Sequence, residues 1–436
     1  MEHDHEELRS EVHELRSLNQ RLRTDLERFE DPPYAVRHLV GRLVRPIHLA
    51  VLRTGGRVLR ALGLRKRNGY AGDFRPYVAR PKNPAAGSRP RVLHAVANFR
   101  TGGSARLVVD LVEQLGHEYE QRVIIRQQPP VQAYEGVAVD AFPDLTSSRP
   151  LRRLFARFQP DIVHVHYVAD HLREWSERDY RWYIHVFEAA ERAGRTVIEN
   201  VNIPTEPFRS PAVARYVFVS DYVRRRYARP DDATAVVYPG SDLAHFSRGD
   251  VERPSQTIGM VYRLDRDKLD EASFDPVVEA LSRRGEARAI VVGGGQLLPV
   301  YERAAAEAGV RDRVTFTGYV AYDDLPEWYG RMAAFAAPVH NESFGHVSVL
   351  AMGMELPVAG YDVGALGEIV GDPRLLAPLG DANALADILV RLLDDPEGSR
   401  ELGRSNRRRA EENFSVERMG EAYESIYADC LPAVEQ

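Results

Sequence analysis

The chain has 436 residues, 44% hydrophobic and 28% charged, a composition that suits two or three globular units and excludes a disordered chain. Its single cysteine, Cys430, excludes an intramolecular disulfide framework and cysteine-based metal knuckles, and points to a reducing cytoplasm. No run of eighteen apolar residues exists and the N-terminus lacks a secretory apolar stretch, so neither signal-directed export nor a membrane span is expected.

Residues 1–30 carry apolar side chains at alternating steps of four and three: Leu8, Val12, Leu15, then Leu22, Leu26 and Phe29, with Asn19 in the same seam. Val12, Asn19 and Leu26 at heptad a positions, with leucines at d, predict a parallel homodimeric coiled coil whose register the polar Asn19 sets. A solitary amphipathic helix packed on its own domain is the alternative.

Residues 31–67 change character. Nine basic side chains from Arg37 to Arg67 meet no acidic one between residues 33 and 67; taking those nine from a net charge of −6 leaves −15 on the rest. The apolar residues interleaved between Tyr34 and Leu64 predict a helical segment broken at Pro46 and Gly55-Gly56, with arginine stems suited to an anionic membrane surface. Docking on the acidic remainder of the protein is the bland reading. Nucleic acid is not expected as a partner, because stacking aromatics are scarce there.

Residues 68–90, with four prolines, read as a linker. From Arg91 short β-rich runs alternate with amphipathic helices: Val92–Ala97, a helix over 105–115, then 122–126, 162–165, 196–199 and 216–219. After a polar stretch at 248–256 the pattern restarts with runs at 258–262, 289–292, 314–317, 334–337 and 357–359. Two doubly wound parallel sheets are predicted, the first over 91–252 and the second over 253–412, facing each other across a cleft at the carboxyl ends of their strands.

Four motifs fall at such strand ends. Gly102-Gly103-Ser104 joins a strand to a helix, so backbone N–H groups and the helix dipole can hold a diphosphate there, although a steric need for glycine explains the pair equally well. In Asp161-Ile162-Val163-His164-Val165-His166 the period of two puts both histidines on one face, with His166 nearest the strand end, where it could hydrogen-bond a substrate hydroxyl or remain purely structural. Arg263 and Lys268 follow the first strand of the second half and suit a departing nucleoside diphosphate. Glu342-Ser343-Phe344-Gly345-His346 brings an acid, a hydroxyl and a glycine to a helix N-terminus.

In this order and spacing, together with Val237-Tyr238-Pro239-Gly240-Ser241-Asp242, Val314-Thr315-Phe316-Thr317-Gly318 and Pro357-Val358, these elements resemble the retaining GT-B glycosyltransferases of family four from about Arg91 to Tyr427. The resemblance implies an α/β GT-B architecture of two Rossmann-like domains, here preceded by the N-terminal coiled coil, with a C-terminal helix over 413–436 crossing back to the first domain. It implies transfer of a sugar from a nucleotide-diphosphate sugar, as co-substrate, to a lipid-linked or surface-glycan acceptor with retention, without metal or other cofactor. By resemblance His166 contacts the transferred sugar and Glu342 binds its hydroxyls. Gly102, Gly103, Arg263, Lys268, Ser343, Phe344, Gly345 and His346 hold the donor, and Gly318, Tyr319 and Val320 border its nucleobase. One position departs: Leu350 stands where the family has a second glutamate that holds the ribose, and Glu355, five residues on, is turned away from it. A peripheral enzyme on the inner face of the cell membrane is expected; an inactive subunit binding a sugar nucleotide or a partner enzyme, or a GT-B epimerase, are the other readings.

Overall fold

The computed structural model describes residues 89–99, 103–127, 137, 139–143, 145–167, 177–249 and 256–431; the heptad segment 1–30, the basic segment 31–67, the linker up to residue 88 and Gly102 lie outside the described residues. Everything described belongs to one compact unit. The first half holds a parallel seven-stranded sheet of β1 (Arg91–Asn98), β2 (Glu120–Gln127), β3 (Val139–Ala141), β4 (Ile162–Tyr167), β5 (Thr196–Val201), β6 (Val213–Phe218) and β7 (Thr234–Val236), in the order β3-β2-β1-β4-β5-β6-β7. Its helices are α1 (Gly103–Leu115), α2 (Arg149–Phe158), α3 (Glu177–Arg192) and α4 (Asp221–Tyr227). Runs such as Ile162-Val163 and Val197-Ile198 are buried on both faces, as a sheet covered by helices on both sides requires.

The second half repeats the plan with β8 (Thr257–Val261), β9 (Arg288–Val292), β10 (Val314–Phe316), β11 (Ala334–Ala337), β12 (Val358–Tyr361) and β13 (Leu376–Ala377), in the order β10-β9-β8-β11-β12-β13. Around it lie α5 (Asp275–Arg283), α6 (Leu298–Glu307), α7 (Leu325–Gly330), α8 (His346–Gly353), α9 (Leu366–Val370), α10 (Ala382–Asp394), α11 (Pro396–Asn413) and α12 (Val416–Cys430). Strands β3, β7 and β13, of two or three residues, are absent from the expectation because they are too short to show a period.

Helix α12 belongs to the second half in sequence and to the first in packing. Ser415 Oγ accepts from Arg418 N at 3.2 Å and starts the helix. Met419, Tyr423, Ile426 and Tyr427 then enter one apolar cluster with Leu107, Leu111 and Leu115 of α1, each full burial contributing roughly 1.5–3 kcal/mol. Gly240 permits the approach, since a Cβ there would lie 2.6 Å from Val416 Cα. The halves also meet at Glu368 of α9, whose carboxylate accepts from Asp221 N (2.9 Å), Tyr222 N and the Tyr238 hydroxyl (3.2 Å). Among the described residues no helix is long and apolar enough to cross a membrane.

Candidate functional site

Strand order reverses between β1 and β4 in the first sheet and between β8 and β11 in the second, and the crevices outside such reversals are where doubly wound sheets place ligands. Residues that follow β1, β8 and β11 help to line one cleft of about 200 Å³. The first half contributes Gly103, Ser104, Arg106 and Leu107 from α1, with Asn202, Ile203, Val219, Pro239 and Gly240 from the loops after β5, β6 and β7; the second contributes Lys268 and Glu342, Ser343, Phe344, Gly345 and His346.

At its centre Lys268 Nζ donates to Glu342 Oε1 at 2.6 Å. The same oxygen accepts from Ser343 N at 3.1 Å and Phe344 N at 3.3 Å, while the buried Oε2 has no partner. A buried carboxylate oxygen without a donor is costly, which leaves this atom a vacant acceptor. The backbone around it is fixed. Ala365 N donates to Glu342 O at 3.0 Å, and Gly364, at φ +59°, allows that approach because a Cβ would lie 2.0 Å from the same oxygen. His340 N donates to Lys268 O at 3.0 Å and ties the lysine loop to the loop after β11. Gly345, at φ +108°, then turns the chain into α8, which starts at the cleft wall with His346. His346 is neutral at pH 7, because burial first, then the charges of Arg106 and Lys268, push its pKa down to about 4.

The histidines form a second constellation, wholly buried, on the first sheet. His94 Nε2 lies 2.9 Å from Gln121 Oε1, an acceptor, so that nitrogen carries the proton. His94 Nδ1 is then a bare acceptor for His166 Nε2–H at 3.2 Å, which leaves His166 Nδ1 as a lone pair with no partner. The same logic makes His164 Nε2 donate to Asn200 Oδ1 (3.4 Å) and Nδ1 accept from the Tyr427 hydroxyl (2.7 Å). Asn200 Nδ2 donates to Asn202 Oδ1 (2.7 Å), and Asn202 Nδ2 to Ser104 Oγ (3.3 Å). A directed chain of neutral hydrogen bonds therefore runs from α12 to the cleft wall. Burial lowers the pKa of all three histidines, that of His94 to about 4. One nitrogen from each lies within 4.8 Å of the other two, a donor set of the kind that binds transition metals, but hydrogen bonds already occupy every ring nitrogen of the three except His166 Nδ1.

The residues singled out from the sequence thus separate. Gly103, Lys268, Glu342, Ser343, Phe344, Gly345 and His346 line the cleft. His166 lies beneath it in the histidine cluster, and Gly102 is outside the described residues. Arg263, Gly318, Tyr319 and Val320 stand at a second corner. There Arg263 is largely exposed and pairs with Asp265 (3.3 Å) and Asp267, and Tyr319 is 79% exposed. Leu350 is packed in the second half's core; Glu355 pairs with Arg248 at 3.3 Å, away from the cleft.

Three contributors escape sequence reasoning. Arg106 reaches the cleft while paired with Asp110 at 2.5 Å, and its guanidinium sits 5.6 Å from the Tyr322 ring centroid of the other half; only the glycines of its motif carry a local signal. Burial raises Asp110 to about 6, against the pull of Arg106. Asn202 sits in a loop and has no pattern of its own. The run Gly293-Gly294-Gly295 after β9 differs from the other two in leaving a local signal, a glycine cluster at a strand end. A Cβ on Gly293 would lie 1.8 Å from Tyr262 O, and Gly293 N donates to Gly318 O at 2.9 Å, so these glycines draw the Arg263 and Gly318 loops into one corner.

Residues 101–245 match the family described as Glycosyltransferase Family 4, and residues 256–395 that described as Glycosyl transferases group 1. Over 141 residues the chain is 36% identical to a 2-deoxystreptamine glucosyltransferase of Streptomyces kanamyceticus, covering 32% of this chain and 36% of that protein. Over 299 residues it is 28% identical to a D-inositol 3-phosphate glycosyltransferase of Rhodococcus opacus (strain B4), covering 60% and 66%. The chain therefore spans about a third of the first relative and just under two thirds of the second. In fold it is similar to Anabaena Alr3699/HepE, solved in complex with UDP-glucose, with a TM-score of 0.60 at 16% identity over 78% of this chain and 99% of that one. The two parallel sheets are thus arranged as in a GT-B fold.

Proposed function

Since this chain belongs to the group 1, family four glycosyltransferases, we propose that it moves a sugar from a nucleoside-diphosphate donor to an acceptor hydroxyl in the cleft between its two sheets. The observation that carries the reading is the Lys268–Glu342 pair, with Glu342 Oε2 left unpartnered inside the cleft. The donor diphosphate lies between Lys268 and the N-termini of α1 and α8, three sources of positive potential. As the bond from the anomeric carbon to the phosphate oxygen breaks, negative charge grows on that oxygen and Lys268 stabilises it. Glu342 Oε2 accepts hydrogen bonds from sugar hydroxyls and holds the ring in position. The acceptor oxygen forms the new bond on the face the diphosphate leaves, its proton passing to the departing phosphate oxygen, so the configuration is retained and no metal takes part. Arg263 leaves Asp265 and Asp267 to meet the diphosphate when the donor binds, and Tyr319 covers the base.

The acceptor in this reading is lipid-linked or a surface glycan. Support comes from the basic segment 34–67, suited to an anionic membrane on the cytoplasmic side, and from the heptads of 1–30, which pair two copies.

Calorimetric titration of UDP, GDP, ADP and dTDP and their sugars is the test, with native protein beside Lys268→Ala. Saturable binding of one nucleotide sugar, weakened about tenfold or more in the variant, is the expected result. Binding of none would overturn the reading and make the missing ribose acceptor at Leu350 decisive.

A further inference from the structure

Helix α2 buries Leu151, Leu154, Phe155 and Phe158, and helical periodicity therefore turns Arg149, Arg152 and Arg153 to the opposite face. Arg192 ends α3, and Arg195 directly precedes β5. These five arginines line a concavity of about 540 Å³, and among the described residues no carboxylate lines it. The pattern differs from the rest of the first half, where Arg91 pairs with Glu120, Arg122 with Asp140, Arg126 with Asp179 and Arg209 with Asp232. Among the described residues none of the five forms an ion pair, and Arg195 Nε is buried without a hydrogen-bond partner.

Five like charges around one hollow repel each other, and no described carboxylate lines it. Guanidinium forks favour compact anions with several oxygens, phosphate above carboxylate for a site with this many donors. The volume suits a headgroup or a small phosphorylated molecule and not a polymer. Arg195 lies at the amino end of β5, whereas the catalytic cleft lies at the carboxyl ends, so the two sites occupy opposite edges of the sheet.

We propose that this groove is a second anion site, which takes a phosphate or diphosphate group that the catalytic cleft does not hold. The group is carried either by a lipid headgroup at a bilayer or by a soluble phosphorylated compound. The proposal does not depend on the glycosyl-transfer reading.

Hydrogen–deuterium exchange of the full chain separates these sources. One arm adds inorganic pyrophosphate; the other adds vesicles of phosphatidylglycerol in phosphatidylcholine, against phosphatidylcholine alone. Protection of α2 and of the turn at 192–197 by at least one anionic probe is expected, persisting in Lys268→Ala and fading in about 0.5 M salt. In an Arg152→Ala/Arg192→Ala double variant the concentration for half-protection rises about tenfold or more, and the paired lysine variant, which keeps charge without the forks, falls between. Protection by pyrophosphate alone identifies a soluble ligand, and by vesicles alone a headgroup. The proposal is overturned if neither probe protects these two segments, or if the double alanine variant, with its urea midpoint intact, is protected as well as the native chain.

Discussion

The two halves share one architecture and use their interiors differently. The second is largely apolar inside: among the described residues its only fully buried carboxylate or cationic side chain is Glu342, at the cleft, beside the partly buried His346. The first buries His94, His164, His166, Asp110, Asp179 and Glu199. Burial raises the Glu199 carboxyl well above its usual range, with only Phe208 N donating to it, at 2.7 Å. Similar sheets can thus hold a single charge where chemistry needs it or spread a hydrogen-bonded network through the core. The first arrangement localises function. The second couples function to stability and to pH.

Glu342→Gln breaks the comparison most severely. The amide keeps the shape, yet Lys268 loses its ionic partner and the lone acceptor Oε2 is replaced or inverted into a donor. A fall in kcat of about 10²- to 10³-fold is expected, with the fold unchanged. Steady-state kinetics with the cognate sugar nucleotide decides the matter, and near-native turnover would remove Glu342 from the mechanism.

Next comes the acid sensitivity of the first half. His94 titrates near 4 in the folded chain and near 6.5 when unfolded, so the unfolded state holds more protons between those values. Its contribution is complete above pH 6.5 and is lost as pH falls towards 4, on the order of 3 kcal/mol. His164 and His166 act in the same direction. Asp110 and Glu199, whose carboxyls are raised, act oppositely, so the slope and not the total is diagnostic. Urea melts of native protein and His94→Gln at pH 7, 6 and 5 should show a shallower acid decline in the variant; parallel curves would contradict the buried neutral cluster.

How much of this could be read from the chain follows the same division. Lys268 and Glu342 to His346 follow strands of the second half, where short strands, glycines and a helix start leave local marks. The first half's network is assembled from His94, Gln121, Asn200, Tyr423 and Tyr427, on four separate elements brought together only by strand order and by α12. Period two correctly put His164 and His166 on one face, with ring centroids 4.1 Å apart, but nothing local says that His94 meets them. Arg106 was hidden for a related reason: its role depends on Tyr322, more than two hundred residues away.

A smaller effect sharpens the tie between halves. Tyr427→Phe removes the only donor to His164 Nδ1 among the described residues and leaves a buried acceptor bare, at a cost of about 1–3 kcal/mol. Tyr423→Phe should cost less, about 1 kcal/mol, because Asn200 Oδ1 retains His164 as a donor. Chemical denaturation of both variants checks the order, and the reverse order would mean that the network runs through Tyr423.

The smallest change is expected at the other tie, Glu368→Gln. The carboxylate serves Asp221 N, Tyr222 N and Tyr238 and lies 3.5 Å from Arg225. The amide retains one accepting oxygen, and α4 keeps its own cap, Ser220 Oγ accepting from Val223 N at 3.3 Å. Arg225 is mostly exposed, so solvent screens the lost charge. A loss of about 1 kcal/mol or less follows, read as a small shift in urea midpoint. A loss several times larger would make Glu368, and not the buried packing of α12 on α1, the principal bond between the two halves.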